Sequence, residues 1–445
     1  MRGETSQQLS FGDGFIDSSL YELDDELKRV DALLSQKEFL APFEEVFSET
    51  MGRPGTPIPV YLRMQFLKYR FGLSYEEVER EVTERIPWRF FCHLSLQDRV
   101  PDSTTLIKLN QRFGDERLAM LNKALVKHLV KTKAIRPRKI RIDSTTIETH
   151  ITYPTDIGLL HQVVKTLTRH AKDAGAKINN HVRATKKALA QLGASLKSQP
   201  KADAPLAQKS KRQKSQLKET LRRTTELASE TVKQCKAVIN RASDETPAHK
   251  NFERDLRIAE KILAQTEQKL NGVQSIPERI VSLHDPEARP IRKGKLKKPN
   301  EFGRTLQLVQ DSSGVILDYE LQHGNPSDKT QLLPLVRKFK KQFRRVPSEL
   351  ATDKGYYSQE NIQSLRSLKV KRIAIPKIGR LFQKEKRKQH SQWFKTLQRF
   401  RCGIEAGISM LKRCFSLGDV HVRGTKATAV CVNWAIFSYN LWQMT

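Results

Sequence analysis

The sequence predicts a mixed α/β core that follows an all-α domain and is split by a long helical insertion. Strand-like, β-branched segments occur at 138–147 and again from residue 301 onward. Helices and strands alternate after residue 324, which is typical of a mixed sheet. The stretch between the strand regions is rich in Ala, Lys, Gln and Leu and has no strand signal. The predicted domains are 1–130, 131–157, 158–282 and 283–445.

The N-terminal domain is predicted to be helical. Residues 15–48 interleave acids with Leu and Phe, and the break GRPGTPIP follows at 52–59. Two helices are expected within 60–81, the second capped by Ser74 with Glu77 three residues later. Another helix opens after the segment Pro101-Asp102-Ser103-Thr104-Thr105. Such helix pairs either read DNA or form a bundle, and the residues leave both interpretations open.

The core elements follow from periodicity and turn signals. Residues 138–147 form the first strand, and Ser312-Ser313-Gly314 joins the next two strands into a hairpin. The remaining predicted elements are strands at 301–311, 314–323, 349–353 and 370–375, and helices at 328–345, 358–367, 391–413 and 425–442.

The insertion at 158–282 is predicted to contain about three helices, with breaks near 198–205 and 243–247. It resembles a helical arm or coiled-coil bundle. Residues 158–241 carry 19 basic and five acidic residues. We therefore expect an arm that clamps DNA or pairs two protomers.

The charge balance indicates a polyanionic partner. The chain has 445 residues, with 80 Lys and Arg against 49 Asp and Glu, a formal net charge of +31. Nucleic acid is the usual partner of such a surplus, although a generic basic or ribosomal protein has the same composition. A second basic tract at 369–413 carries 14 basic and two acidic residues, whereas residues 1–50 carry four basic and 12 acidic ones.

Several classes of protein are disfavoured. No run approaches eighteen apolar residues, so no membrane span is expected, and the N-terminus lacks the pattern of a secretory signal. Five cysteines without CxxC pairs argue against a disulfide framework or a zinc cluster and favour a reducing cytoplasm. The scattered histidines His150, His170 and His181 are interpreted as core or surface residues. The expected location is the cytoplasm, in association with the nucleoid.

Three carboxylates lie where a catalytic site would need them. Asp143 is predicted at the end of the first strand, Asp353 at the end of the fourth, and Glu405 in the helix after the fifth. Hard oxygen ligands suit Mg²⁺, and two such ions serve the attacking and leaving oxygens of phosphodiester chemistry. A single acid is usually a solvated surface residue, and we interpret three others, Asp311, Asp318 and Asp328, as bystanders.

The order of the acidic motifs resembles that of a known family. The motifs are Ile142-Asp143-Ser144-Thr145, Gly324-Asn325-Pro326-Ser327-Asp328 and Asp353-Lys354-Gly355-Tyr356. They look like those of bacterial insertion-sequence transposases with a ribonuclease-H-like DDE core, in the insertion-sequence-four and insertion-sequence-five groups.

A further signature of these groups, Y-x2-R-x3-E-x6-K, strengthens the resemblance. Arg401, Glu405 and Lys412 have its spacing, while Gln398 occupies the tyrosine position. On a helix, the Arg, Glu and Lys positions lie within about 60° of one face, so Arg401 and Lys412 are expected to face DNA phosphates. Four further cations are expected to line the DNA channel with the cluster 384–388: Lys371, Arg372, Lys377 and Arg380.

The resemblance implies Asp143, Asp353 and Glu405 as catalytic residues and ligands of two Mg²⁺ ions, which Mn²⁺ can replace. It implies cut-and-paste transposition, with cleavage at the 3′ ends of terminal inverted repeats and strand transfer into double-stranded target DNA by a homodimer in a synaptic complex. Two alternatives stay open: a metal-dependent nuclease without strand transfer, and a non-catalytic DNA-binding regulator derived from a transposase.

Overall fold

The computed structural model describes residues 17–46, 55–149, 151, 154–197, 206–241, 246–273, 275–292, 300–418 and 420–445. The chain divides into two compact units. The first, called the sheet unit, comprises Met1–Thr149 and Arg304–Thr445, and the second, called the helical unit, comprises His150–Gly303. The long helical insertion expected between the first and second predicted strands is confirmed, because four helices separate the corresponding strands.

The N-terminal part of the sheet unit is helical, as predicted. Its helices are α1 (Asp25–Leu34), α2 (Ala41–Glu44), α3 (Ile58–Phe71), α4 (Tyr75–Glu84), α5 (Ile86–Phe91) and α6 (Ser103–Lys131). Ser74 and Glu77 form the expected capping box: Glu77 N donates to Ser74 Oγ (3.1 Å) and Ser74 N donates to Glu77 Oε2 (2.7 Å). Asp102 caps α6 by accepting from Thr105 N (2.8 Å).

The prediction of continuous helix over 15–48 is wrong in its extent. Within 17–46 the chain forms two short α-helices and two 3₁₀ turns instead. Asp24 accepts from Leu27 N (2.7 Å) and starts α1 there, and the chain leaves the helix at Ser35. Side-chain capping has overridden the apolar periodicity in this segment.

The strands are β1 (Lys139–Glu148), β2 (Arg289–Arg292), β3 (Asn300–Asp311), β4 (Ile316–Leu321), β5 (Glu349–Thr352) and β6 (Arg372–Ala374). Their order in the sheet is β2-β3-β1-β5-β6, and β4 also pairs with β3. β1, β5 and β6 run parallel to one another, whereas β3 and β4 form the predicted antiparallel hairpin. The mixed sheet is therefore confirmed, and only the short β2, which pairs with Asn300–Gly303, was not predicted.

The C-terminal helices of the sheet unit are α11 (Asp328–Phe343), α12 (Gln359–Ser367), α13 (Gln383–His390), α14 (Gln392–Cys414) and α15 (Thr425–Gln443). Four of them match predicted helices, and α13 was missed. That helix has no buried residue, so it lacks the apolar periodicity that reveals a helix in sequence. By contrast, α15 is buried along most of its length.

A buried polar cluster joins α15 to the N-terminal helices. Asn110 Oδ1 accepts from Tyr61 Oη (2.7 Å) and from Trp434 Nε1 (2.7 Å). Asn110 Nδ2 donates to Tyr75 Oη (2.5 Å). These polar groups are largely removed from water, so they must form hydrogen bonds within the protein. The packing of α15 against the N-terminal helices therefore depends on the side-chain amide of Asn110.

The helical unit contains α7 (Asp156–Asp173), α8 (Val182–Lys197), α9 (Leu206–Arg241) and α10 (Pro247–Leu270). Leu160, Val163 and Leu167 of α7 share its core with residues of α9 and α10. The sequence predicted about three helices because the turn after α7, where Gly175 has φ +71°, gave no strong break signal. The predicted break at 198–205 lies outside the described residues.

The histidines of this unit have structural partners, as interpreted. His170 Nε2 lies 3.0 Å from Asp255 Oδ2, and His181 Nε2 lies 3.1 Å from Glu230 Oε2. His150 lies outside the described residues. Among the residues that the structure describes, no helix has the length and apolar character needed to cross a membrane.

Replacing Asn110 by Ala is expected to lower the free energy of unfolding by about 2–4 kcal/mol, because Tyr61 Oη and Trp434 Nε1 lose a buried acceptor. Urea unfolding followed by tryptophan fluorescence measures it. The control Gln111→Ala removes an exposed amide from the same helix and should change stability by less than about 0.5 kcal/mol. Equal effects of the two substitutions would contradict the role of the cluster.

Candidate active site

The first two predicted carboxylates lie side by side because of the strand register. β1 and β5 pair in parallel from Lys139 with Glu349 to Ile142 with Thr352. Asp143 and Asp353 directly follow the last paired residues of the two strands, so they lie beside each other where β5 ends. Asp143 was predicted at the end of its strand, but β1 continues to Glu148. Because β5 ends at Thr352, no residue of β5 covers the Asp143 position.

Backbone amides hold both carboxylates in place. Ser144 N donates to Asp143 Oδ1 (2.8 Å), and Gly355 N donates to Asp353 Oδ1 (2.9 Å). Asp353 is also the N-cap of a 3₁₀ turn, Lys354–Tyr356. Backbone donors therefore orient one oxygen of each carboxylate.

Asp328 joins this pair, although the sequence gave reason to treat it as a bystander. A Cβ at Gly355 would lie 3.1 Å from Asp353 Oδ1 and 3.5 Å from Asp328 Oδ2, so Gly355 separates two carboxylates that crowd against it. Gln307 Nε2 donates to Asp328 Oδ1 (2.7 Å), and Tyr356 Oη donates to Gln307 Oε1. The motif containing Asp328 was visible in sequence, but its approach to Asp353 depends on where α11 begins.

The other two acids interpreted as bystanders have partners within the sheet unit. Asp311 forms the β3–β4 turn, where its Oδ1 accepts from Ser313 N and Val315 N at 3.0 Å each. Asp318 pairs with Lys338 at 2.9 Å. Both carboxylates therefore form structural contacts.

Burial and mutual repulsion make the acidic cluster costly to ionise. Burial raises the pKa of Asp143 to about 6, opposed by the hydrogen bond from Ser144 N and reinforced by the negative charge of Asp353. Burial likewise raises the pKa of Asp353, to which the charge of Asp328 adds. A cation beside these groups would relieve the repulsion.

Helix α14 carries Glu405 and lies against the sheet through two glycines. A Cβ at Gly403 would lie 2.1 Å from Arg141 Nη1, and one at Gly407 would lie 2.8 Å from Gln310 Nε2. Glu405 is about 200° around the helix from each glycine, so it faces away from the sheet. Its side chain is 62% exposed, whereas that of Asp143 is 16% exposed.

Arg401 connects the predicted acids. Its guanidinium lies 3.4 Å from Asp143 Oδ2 through Nη1 and 2.9 Å from Glu405 Oε1 through Nη2. In this structure it thus faces carboxylates, where sequence analysis expected DNA phosphates. Among the described residues, no three His, Cys, Asp or Glu side chains are arranged to hold a metal ion together.

Gln398, in the family's tyrosine position, has a structural role. Its Nε2 donates to Thr352 O (3.2 Å) and Ala374 O (2.7 Å), the last residues of β5 and β6. The amide therefore ties the start of α14 to the strand ends that carry Asp353.

The other predicted DNA contacts divide into two groups. Arg372 pairs with Glu349 (2.9 Å) and Lys377 pairs with Glu385 (2.6 Å). Lys371 and Arg380 are exposed, and Lys412 is half-buried. Arg372 and Glu349 are the first residues of β6 and β5, so they lie at the opposite end of these strands from Asp353.

The chemistry of the acidic cluster fits a divalent metal ion. Asp143 and Asp353 lie beside each other and offer carboxylate oxygens, the ligands that Mg²⁺ and Mn²⁺ prefer. Burial, more than like charge, raises the pKa of both carboxyls, and the charge of Arg401 offsets only part of this effect. A bound cation would supply the missing positive charge.

Comparison with known proteins finds two transposase family models that match this chain. The family model "Transposase domain (DUF772)" matches residues 16–112, and the family model "Transposase DDE domain" matches residues 276–441. The chain is also 30% identical over 178 residues to the uncharacterized protein ORF8 in the nfe locus of Rhizobium meliloti, covering 36% of this chain and 86% of that protein. No solved structure matches the chain.

Asp143→Asn is expected to stabilise the metal-free protein by about 2 kcal/mol at pH 8, because it removes a carboxylate whose pKa is raised. A raised folded-state pKa stabilises the protonated protein, and that stabilisation is lost as pH rises through about 6. The gain from the substitution should therefore shrink toward pH 4.

Thermal or urea unfolding in the presence of a chelator, between pH 4 and 8, measures this effect. The matched control Glu405→Gln makes the same change on an exposed carboxylate and should alter stability by less than about 0.5 kcal/mol. A loss of stability in Asp143→Asn at pH 8 would show that the buried charge of Asp143 does not destabilise the metal-free fold.

Proposed function

The chain belongs to the DDE transposases of bacterial insertion sequences, and we propose that it cuts the 3′ ends of its element and joins them to target DNA by cut-and-paste transposition. The observation that carries this proposal is the placement of Asp143 and Asp353 at one sheet edge, with Arg401 linking Asp143 to Glu405. That arrangement provides acids for phosphodiester chemistry and a cation for the negatively charged phosphate.

The proposed core is ribonuclease-H-like. Support comes from the strand order β4-β3-β1-β5-β6, in which an antiparallel hairpin lies beside three parallel strands. The helical unit enters between β1 and β3, so the chain leaves and returns to the sheet without interrupting the β1–β5 pair.

Asp143, Asp353 and Glu405 would hold two Mg²⁺ ions, or Mn²⁺ in their place. When bound, the ions would neutralise charge on the scissile phosphate and lower the pKa of a nucleophilic water. Asp328 would support Asp353 from within the cluster, since Gln307 fixes its orientation. The half-buried setting of Asp143 would limit the access of bulk water to a phosphate bound beside it.

The proposed reaction consists of a hydrolysis followed by a transesterification. Water attacks the phosphodiester at the transposon end, breaks the P–O bond and releases a 3′-hydroxyl. That hydroxyl then attacks a phosphodiester of the target, forms a new P–O bond and displaces a target 3′-oxygen. The proton lost by each nucleophile passes to a carboxylate or to solvent.

Arg401 would exchange partners during the reaction. Without metal it neutralises Asp143 and Glu405. Once the acids hold cations, its fork of donors is available for a DNA phosphate, as the resemblance implies. Lys412, Lys371, Arg372, Lys377 and Arg380 are proposed as further contacts to the DNA backbone.

The remaining parts of the chain have proposed roles in assembly. The helices of 1–130 would bind the terminal inverted repeats, and the insertion 158–282 would clamp DNA or pair protomers. Because two ends must be processed together, a homodimer in a synaptic complex is proposed, acting on double-stranded DNA in the cytoplasm.

Each of Asp143→Asn, Asp353→Asn and Glu405→Gln is expected to reduce Mg²⁺- or Mn²⁺-dependent cleavage of an element end by more than about 100-fold, because even groups that only orient metal ligands contribute 10- to 100-fold. Glu360→Gln, an exposed acid on α12, is the matched control and should cleave like the wild type. Unchanged cleavage in all three variants would overturn the mechanism.

Pre-cut ends with a plasmid target separate transposition from simple cutting. A transposase joins the 3′-hydroxyl ends to the plasmid, and a nuclease leaves them unjoined. Specific binding of ends without cleavage in either metal would instead favour a non-catalytic regulator.

Asp328→Asn is expected to lower the cleavage rate by about 10-fold and to raise the Mg²⁺ concentration needed for half-maximal rate, since it removes charge beside Asp353 yet keeps the acceptor for Gln307. Cleavage measured across a Mg²⁺ titration checks both effects. An unchanged metal requirement would return Asp328 to the bystanders.

A further inference from the structure

The sheet unit has a basic cleft between α6 and the C-terminal end of α11. Three of its cations are on α6, Lys123, Lys127 and Lys131, and three follow on α11 and beyond, Lys341, Arg344 and Arg345. All six are exposed. Val130 and Phe343 line the cleft between the two rows, so its walls are charged and its lining includes apolar side chains.

The α6 cations form a regular row. They are four residues apart, so they share one helix face and extend over about 12 Å. That length corresponds to about three to four base pairs of duplex DNA at 3.4 Å per step. A row of this kind fits an extended polyanion better than a small ligand.

The cleft has little internal neutralisation. Lys338, which also lines it, pairs with Asp318 (2.9 Å), and Lys123 acts on the same carboxylate. Within the part of the chain that the structure describes, Lys127, Lys131, Lys341, Arg344 and Arg345 form no ion pair with a carboxylate. Five cations therefore repel one another across the cleft until an anion binds.

Backbone strain marks one of these cations. Arg344 ends α11 in the left-handed conformation, with φ +53° and ψ +23°. Glycine is the usual residue at this position after a helix, because a Cβ is unfavourable there. A glycine at this position would therefore relieve the strain, and replacing Arg344 also removes a charge from the cleft.

The cleft is separate from the acidic cluster. α11 begins at Asp328, beside Asp353, and ends at Phe343 in the cleft. Fifteen helical steps place the two about 22 Å apart along the helix axis. The cleft also lies toward the starting ends of β1 and β5, whereas Asp143 and Asp353 lie at the other edge.

We infer that the α6–α11 cleft binds the phosphate backbone of double-stranded DNA, at a place distinct from the one where DNA is cut. The inference rests on the proposed action on DNA but not on cleavage. It adds a DNA-binding surface that neither basic tract of the sequence contains, because its two cation rows come from segments about 200 residues apart.

The test is the salt dependence of binding to a short duplex of unrelated sequence, without divalent metal. The variant Lys127→Gln/Lys131→Gln/Arg345→Gln should reduce the slope of log affinity against log salt by about 2–3, close to 0.9 for each phosphate that the protein no longer neutralises. The matched control Lys340→Gln/Arg366→Gln/Lys426→Gln removes three exposed cations outside the cleft and should leave the slope within about 0.5 of the wild type.

Arg344→Gly separates binding from folding. It removes a charge and relieves the left-handed strain, so affinity should fall by several-fold while the melting temperature stays equal or rises. Equal slopes for the two triple variants, or a lower melting temperature of Arg344→Gly with unchanged affinity, would overturn the inference. Binding is measured without metal, so the test of the cleft remains valid even if the protein has no cleavage activity. If the protein cleaves DNA but the triple variant leaves the salt slope unchanged, only the proposed role of the cleft is rejected.

Discussion

The parallel pairing of β1 with β5 forces Asp143 and Asp353 into one half-buried place, where their negative charges repel. Burial and like charge both raise the pKa of these carboxyls, so their charged forms need compensating partners. Backbone amides of Ser144 and Gly355 orient the two carboxylates, and Arg401 neutralises Asp143. A divalent cation would neutralise the negative charge that remains. Without a cation, the same two carboxylates lower the stability of the fold.

Helix α14 packs against the sheet with one face and carries charged side chains on the opposite face. Gly403 and Gly407 let it approach Arg141 and Gln310 closely, and Gln398 ties it to the strand ends. The other face then presents Arg401 and Glu405 toward the acids and solvent. This division explains why a glutamine is accommodated in the family's tyrosine position: the carbonyls of Thr352 and Ala374 require a donor, which an amide supplies.

Positive charge is distributed over the sheet unit at more than one place. Cations near α13 and α14 lie on the side of Asp353, while the α6–α11 cleft lies about 22 Å away along α11. DNA bound at both places would be held along a path rather than at a point. The self-repulsion of a chain with a net charge of +31 is lowest when such a path is occupied.

The sequence by itself determined the class of fold, the β3–β4 hairpin, most core helices and the order of Asp143, Asp353 and Glu405. Those features depend on local periodicity, capping and motif spacing, which are written in consecutive residues. Only the tertiary structure decided that Asp328 belongs with Asp353, that Arg401 faces carboxylates, and that Lys131 and Arg345 share a cleft. These relations join residues far apart in the chain, and they are set by strand register and helix placement, which local sequence does not encode.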